Sequence, residues 1–193
     1  MTLELRPAYE FDLATLADLF TRGFEGYFVR IVETPEGLAA RVRYDTIDLA
    51  LSWVALLDDR PVGIVCVAVR GWQCRIAGMG VVSDARRHGV GRGMMEEAIK
   101  RCRAAGLGKM VLEVIEQNEP AAALYRGLGF TTGRRLVGYR LAANALPATD
   151  SSRRDAAALV PVDPREVGRQ IAREADPDLP WQLAAETLGG GFS

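Results

Sequence analysis

The sequence predicts a mixed α/β (α+β) fold, with a central, mostly antiparallel sheet of six to seven strands flanked by helices. Three observations carry that expectation. Apolar, strand-like runs follow one another through residues 52–82 with only short turns between them, the pattern of an antiparallel meander. The unit 74–115 then reads strand, loop, helix, strand, which makes a right-handed crossover. Hydrophobic residues form 49% of the 193 and charged residues 25%, the balance of a chain with a real core.

The elements follow in order. Residues 2–7 alternate, with Leu3 and Leu5 on one side and Glu4 and Arg6 on the other, as in a half-buried strand. Asp12 caps a helix whose apolar positions Leu13, Leu16, Leu19 and Phe20 keep helical spacing. Thr34 and Pro35 start a second helix, with proline in the first turn where its missing N–H costs nothing. Residues 52–57 and 61–70 are strands joined by a turn at Asp58-Asp59-Arg60. A turn around 70–73 leads to the strand 74–82. The next helix places Met94, Met95, Ala98, Ile99 and Cys102 on one face, and Gly106 and Gly108 close it. A strand over 109–115, a short helix over about 120–127 and strands at 130–133 and about 135–142 complete the domain, taken as residues 1–143. Residues 144–155 are polar and turn-rich, a linker. Residues 156–193 form a C-terminal extension with a strand, a helix over 164–175 opened by Asp163-Pro164, and a short helix near Pro180-Trp181. This appendage is compatible with a cap over the acceptor cleft, a dimerisation arm that swaps onto a partner subunit, or a truncated second module.

Composition excludes several functions. Lys plus Arg number 24 and Asp plus Glu 25, for a net charge of −1; binding to nucleic acid or adherence to membranes relies on excess positive charge. The single histidine, His88, and three cysteines, Cys66, Cys74 and Cys102, lack metal-ligand spacing, so no metal is expected. Cys66 and Cys102 read as buried thiols of a reducing compartment. The first residues have no signal-peptide pattern and no window is long and apolar enough to span a membrane, so the expectation is a soluble, cytoplasmic protein.

The most informative stretch is Arg86-Arg87-His88-Gly89-Val90-Gly91-Arg92. It follows a strand and opens a helix, so its main-chain N–H groups converge at the positive end of the helix dipole, a site for phosphate. The glycines permit close approach and positive φ, and the arginines suit a pyrophosphate. A basic helix-start turn is the plainer reading. A dinucleotide loop normally follows the first strand of a parallel sheet, whereas this one follows a meander, and no Gly-Lys-Ser/Thr makes it a P-loop.

A second motif follows, Asn118 through Phe130. Together the two resemble the GNAT superfamily of acyl-CoA-dependent N-acyltransferases. Arg86, Gly89 and Gly91 match its first motif; Asn118, Ala121, Leu124, Tyr125, Gly129 and Phe130 match its second. The resemblance spans roughly residues 2–142 and is specific for the superfamily but not for the substrate. It implies the GNAT fold, acetyl-CoA as co-substrate and a homodimer. It further implies that the main chain of Gly80, Val81 and Val82 pairs with the pantetheine arm. Residues Arg86, Arg87, His88, Gly89, Val90, Gly91 and Arg92 would hold the pyrophosphate, Asn118 would touch the pantetheine or the cofactor's rim, and Tyr125 would stand near the thioester sulfur. Ser83-Asp84 replaces the usual Pro-Glu.

The reaction needs a neutral amine, a polarised carbonyl and a proton for the departing thiolate. Direct attack in a ternary complex fits the lack of an evident activated nucleophile. Tyr125 is the expected general acid, against the plainer reading of a packing aromatic. No carboxylate occurs in residues 75–82, so Glu113, on the next strand, is the candidate base; an ion-paired edge glutamate is the alternative. His88 belongs with the phosphate loop rather than the base. Phe24, Tyr27, Phe28, Trp53 and Trp72 are candidates for the acceptor site, and the acceptor is a small-molecule or peptide amine. A non-catalytic acyl-CoA-binding module and, more remotely, an NAD-binding oxidoreductase remain as alternatives.

Overall fold

A computed structural model describes residues 2–138, 161–174 and 179–190. Five strands form one sheet in the order β1 (Leu3–Pro7), β2 (Ile47–Leu57), β3 (Arg60–Arg70), β4 (Gln73–Val81) and β5 (Lys109–Val111). The first four are antiparallel neighbours and β5 runs parallel to β4. Asp58 and Asp59 both take positive φ, the two-residue turn whose twist matches that of a hairpin. This is the expected mixed sheet, with two corrections.

The first concerns strand 109–115, which ends at Val111. Pairing of β4 with β5 stops at Arg75↔Val111, because β4 then bulges: Cys66 faces Gly78 while Val67 faces Ile76, leaving Ala77 as an extra residue. A bulge bends its strand and increases local twist, so the two strands diverge and residues 112–115 become a loop. The second concerns the strands at 130–133 and from 135, which are absent from the described residues up to 138. A three-residue β5 offers too few main-chain groups to pair a further edge. The linker 144–155, most of the expected strand after it and the glycine-rich end lie outside the described residues.

Helices cover both faces. α1 (Leu13–Gly23) is capped by Asp12, whose carboxylate accepts from Thr15 N at 2.7 Å, and α2 (Pro35–Tyr44) by Thr34, whose hydroxyl accepts from Gly37 N at 3.0 Å. α3 (Val90–Ala104) packs on the opposite face. Alternation along the strands separates the two faces. A Cβ on Gly78 or Gly80 would meet Phe20 or Gly23 of α1, whereas one on Gly63 would meet Met94 of α3. Met94, Met95, Ala98 and Cys102 are buried on α3, as their spacing predicts. α4 (Glu119–Gly127) follows β5, and α5 (Pro164–Glu174) and α6 (Ala185–Gly190) lie near the C-terminus, with a single 3-10 turn at Trp181–Leu183 between them.

Candidate active site

The divergence of β4 from β5 opens a cleft of about 440 Å³. Met79 of β4 lines it, and beyond Met79 the edge of β4 and the loop are built from main chain. Val82 N–H donates to Val62 O at 2.9 Å, so alternation turns the N–H and C=O groups of Val82 and Gly80 toward β3. Those of Val81 and Met79 turn toward the open edge. Of the three residues expected there, Val81 alone presents its main chain, and Met79 joins it. The spacing of the motif could not show this, because it depends on the hydrogen-bonding phase of a ladder.

Arg86 is a brace. Its Nε donates to Val81 O at 2.8 Å, and its Nη2 to Gly23 O at 3.2 Å and Glu25 O at 2.8 Å. That guanidinium ties the end of α1 to the end of β4. A second close contact supports it: a Cβ on Gly80 would lie 2.9 Å from Gly23 Cα, so the two main chains touch and neither position has room for a side chain.

Arg87, at φ 66, and Gly89, at φ 79, alternate with extended and helical residues to curl the loop. Such a curl points successive N–H groups inward, and the first N–H groups of α3 have no preceding turn to bond. Gly89 provides no side-chain cap. Arg87 is exposed, and Arg92 forms an ion pair with Glu96 at 3.3 Å. Val90 is buried and anchors the helix start. His88 lines a separate cavity of about 350 Å³ with Asp58, Arg60 and Asp84, away from the cleft.

The two sequence motifs meet in space. A Cβ on Gly91 would be 3.7 Å from Leu124 and 3.9 Å from Met79 and Val81, and one on Gly127 would be 3.2 Å from Arg92. Asn118 caps α4, its Oδ1 accepting from Ala121 N at 3.3 Å, and lines the cleft with Ala121 and Tyr125. Tyr125 packs edge-on to Phe130 at 5.9 Å. Burial, followed by the nearby Tyr27 hydroxyl, pushes its phenol up to about 12.

The other end of the cleft is built from charged side chains distant in sequence. Glu113 lies in the loop after β5 and Arg75 Nε donates to its Oε2 at 2.8 Å. Arg75 is buried, its Nη1 has no hydrogen-bond partner, and the same atom stands 3.8 Å from Asp45 Oδ1. Asp45 Oδ2 is 3.8 Å from Arg41 Nε, and Arg41 donates to Glu33 Oε2 and to the carbonyl of the bulged Ala77, each at 3.0 Å. Three carboxylates thus share two guanidinium groups. Arg41 also lies over the Phe20 ring at 4.5 Å. Glu113 is therefore both cleft-lining and ion-paired, which joins the two alternatives drawn for it. Of the aromatic candidates, Phe24 and Tyr27 line the cleft. Phe28 and Trp72 are exposed, and Trp53 is buried in the core.

Burial pushes the Cys66 thiol up to about 12, and Cys102 is raised by its hydrogen bond with Cys74 and by burial. The same hydrogen bond lowers the Cys74 thiol, but all three cysteines are buried and free and none lines the cleft. Among the described residues no three metal-ligating side chains gather, and no helix is long and apolar enough to cross a membrane.

Residues 13–130 match the profile of the acetyltransferase (GNAT) family. The chain belongs to that family. The GNAT family is one of acyltransferases, and the loop and cleft above fall within the matched region or beside it. A mycothiol acetyltransferase from Catenulispora acidiphila is 31% identical over 132 residues, which is 66% of this chain and 37% of that protein. The chain therefore spans little more than a third of that relative's length. The fold is shared with the ribosomal-protein-S18-alanine N-acetyltransferase of Escherichia coli, at TM-score 0.58 and 19% identity over 69% of this chain and 80% of that one. It is also shared with the PaiA N-acetyltransferase of Thermoplasma acidophilum, solved in complex with coenzyme A. There the TM-score is 0.57 and the identity 21%, over 69% of this chain and 92% of the other.

Proposed function

We propose that this protein transfers an acetyl group from acetyl-CoA to a primary amine, by direct attack while both substrates are bound. The observation that carries this reading is the meeting of the two motifs at the open edge of β4, where Gly91 lies against Leu124, Met79 and Val81, next to a cleft lined by Met79, Tyr125 and Glu113. The coenzyme A bound to the Thermoplasma relative supports the same choice of co-substrate.

Main-chain N–H groups at the start of α3, with Arg87 and Arg92 beside them, bind the pyrophosphate. The N–H groups of Met79 and Val81 orient the pantetheine arm, and one of them polarises the thioester carbonyl. Glu113 takes a proton from the amine, whose nitrogen forms the new C–N bond as the C–S bond breaks. Tyr125 donates its phenolic proton to the departing thiolate. Arg75 fixes the orientation of Glu113 through one oxygen and leaves the other for the amine. The family resemblance extends the proposal to a homodimer in the cytoplasm, with residues 1–143 as the catalytic domain, 144–155 as a linker and 156–193 as an extension.

The test combines thermal shift with turnover. CoA and acetyl-CoA should raise the melting temperature and NADH should not, because a ligand that binds only the native state stabilises it. Acetyl-CoA with a panel of primary amines should release free thiol. No shift with either CoA species would overturn the reading. A shift with no thiol release from any amine would leave a CoA-binding module, the alternative favoured by Arg75's hold on Glu113.

A further inference from the structure

Residues 179–190 lie beyond the part of the chain matched to the family, yet they return to the cleft. Arg70, the last residue of β3, holds them there. Its Nη1 donates to Trp181 O at 2.9 Å, and its Nη2 to Thr187 Oγ1 at 2.7 Å and to Tyr44 O at 3.1 Å. The same guanidinium lies 4.3 Å from the centre of the Trp181 ring. Trp181 Nε1 donates to Asp45 O at 3.0 Å, and the Thr187 hydroxyl to Trp181 O at 2.6 Å. Arg70 Nε is buried with no hydrogen-bond partner. A cation that gives up this much hydration is offset only while the other donors keep their partners. The segment is thus seated by side-chain and main-chain bonds together, and the residue after Trp181, Gln182, lines the cleft beside Arg41, Arg75 and Glu113.

The geometry points to Gln182 as a specificity-determining residue, which selects primary amines whose remote end carries a neutral hydrogen-bonding group over amines carrying a carboxylate there. The inference rests on the acetyltransferase reading above. The guanidinium groups at this wall are spent on the protein's own carboxylates: Arg41 is held by Glu33 and the Ala77 carbonyl, and Arg75 by Glu113 with Asp45 beyond it, which leaves negative charge in excess. A carboxylate at the acceptor's remote end therefore meets no free counter-charge, and burying an unpaired charge is costly. The amide of Gln182 offers both a donor and an acceptor to a neutral group.

The experiment uses the full chain and three small amines that differ in their remote end: glycinamide, glycine and ethylenediamine. Thiol release measures kcat/KM for each with wild type, Gln182→Glu and Gln182→Lys, and thermal shift measures acetyl-CoA binding. Wild type should prefer glycinamide to glycine. Gln182→Glu should move the ratio toward ethylenediamine and Gln182→Lys toward glycine, each by about tenfold, the effect of one modest charge-assisted bond. Acetyl-CoA binding should stay unchanged. Trp181→Ala should flatten the discrimination while keeping the shift with acetyl-CoA, which separates loss of the wall from loss of the fold. Identical ratios in wild type and both Gln182 variants would overturn the inference and leave the acetyltransferase reading intact. No thiol release from any of a wider set of amines with wild type would overturn both.

Discussion

The cleft and the loop beside it are made of different material. The loop end is main chain: a left-handed turn, the first N–H groups of α3 and the open edge of β4, with glycines where chains touch. The acceptor end is side chain: a relay of Glu33, Arg41, Asp45, Arg75 and Glu113, two aromatic rings and a segment from near the C-terminus. Main-chain sites are built by local sequence and tolerate few residue types, so they suit a constant group. Side-chain sites are assembled from separate elements and are altered by single substitutions, so they suit a variable one. Under the proposed function, the co-substrate belongs to the loop and the acceptor to the side-chain end.

Tyr125→Phe should have the largest effect. Loss of a general acid lowers kcat by about 10²–10⁴-fold, and acetyl-CoA affinity should not change because the ring remains. Unchanged turnover would remove the phenol from the chemistry. The pH profile sharpens the same point. The acid acts while protonated, and its pKa is raised to about 12, so the alkaline limb of kcat due to this group should lie toward that value. An ordinary phenol would place it near ~10.

Glu113→Gln comes next, with an expected loss of about 10²-fold in kcat/KM for the amine. The amide oxygen still accepts from Arg75 Nε, so the melting temperature should move much less than it would for Glu113→Ala, which leaves a buried guanidinium unpaired. Turnover that survives the amide would place the base elsewhere.

Gly80→Ala tests the joint between the ends. Its Cβ would lie 2.9 Å from the main chain of Gly23, where no side-chain rotation relieves the overlap. Overpacking of this kind costs ~1–3 kcal/mol, and at ~2–4 °C per kcal/mol the melting temperature should fall by several degrees. An unchanged melting temperature would show that α1 is not held against β4. The smallest effect belongs to Arg92→Ala. Its surface pair with Glu96 is worth about 0–1 kcal/mol, so stability should hardly change, while acetyl-CoA affinity should weaken a few-fold and more so at low salt. Equal loss at all salt concentrations would argue against a phosphate contact.

The same contrast explains what the sequence made legible. The helix caps at Asp12 and Thr34, the buried face of α3 and the motif from Asn118 to Phe130 all depend on residues close together in the chain. The acceptor end does not. Arg75 and Glu113 are 38 residues apart, and Arg70 reaches Thr187 across 117; nothing in their local sequence marks them as partners. Arg86 shows a subtler limit. Its place in the motif is evident, but its side chain is spent on three carbonyls, because the end of α1 happens to stop within its reach. The strand expected over 109–115 is cut short because the bulge at Ala77 ends its pairing.

That bulge has a measurable consequence for hydrogen isotope exchange. Met79 and Val81 sit in the middle of a sheet by position, yet their amides face an edge that β5 has left. In the free protein these amides should exchange with deuterated solvent far faster than that of Val82 beside them, whose N–H is held by Val62. A ligand arm laid along the edge should slow those two amides selectively. A pair of fast amides within a slow strand would trace the path of the missing hydrogen-bond partner, amide by amide, before any complex had been crystallised.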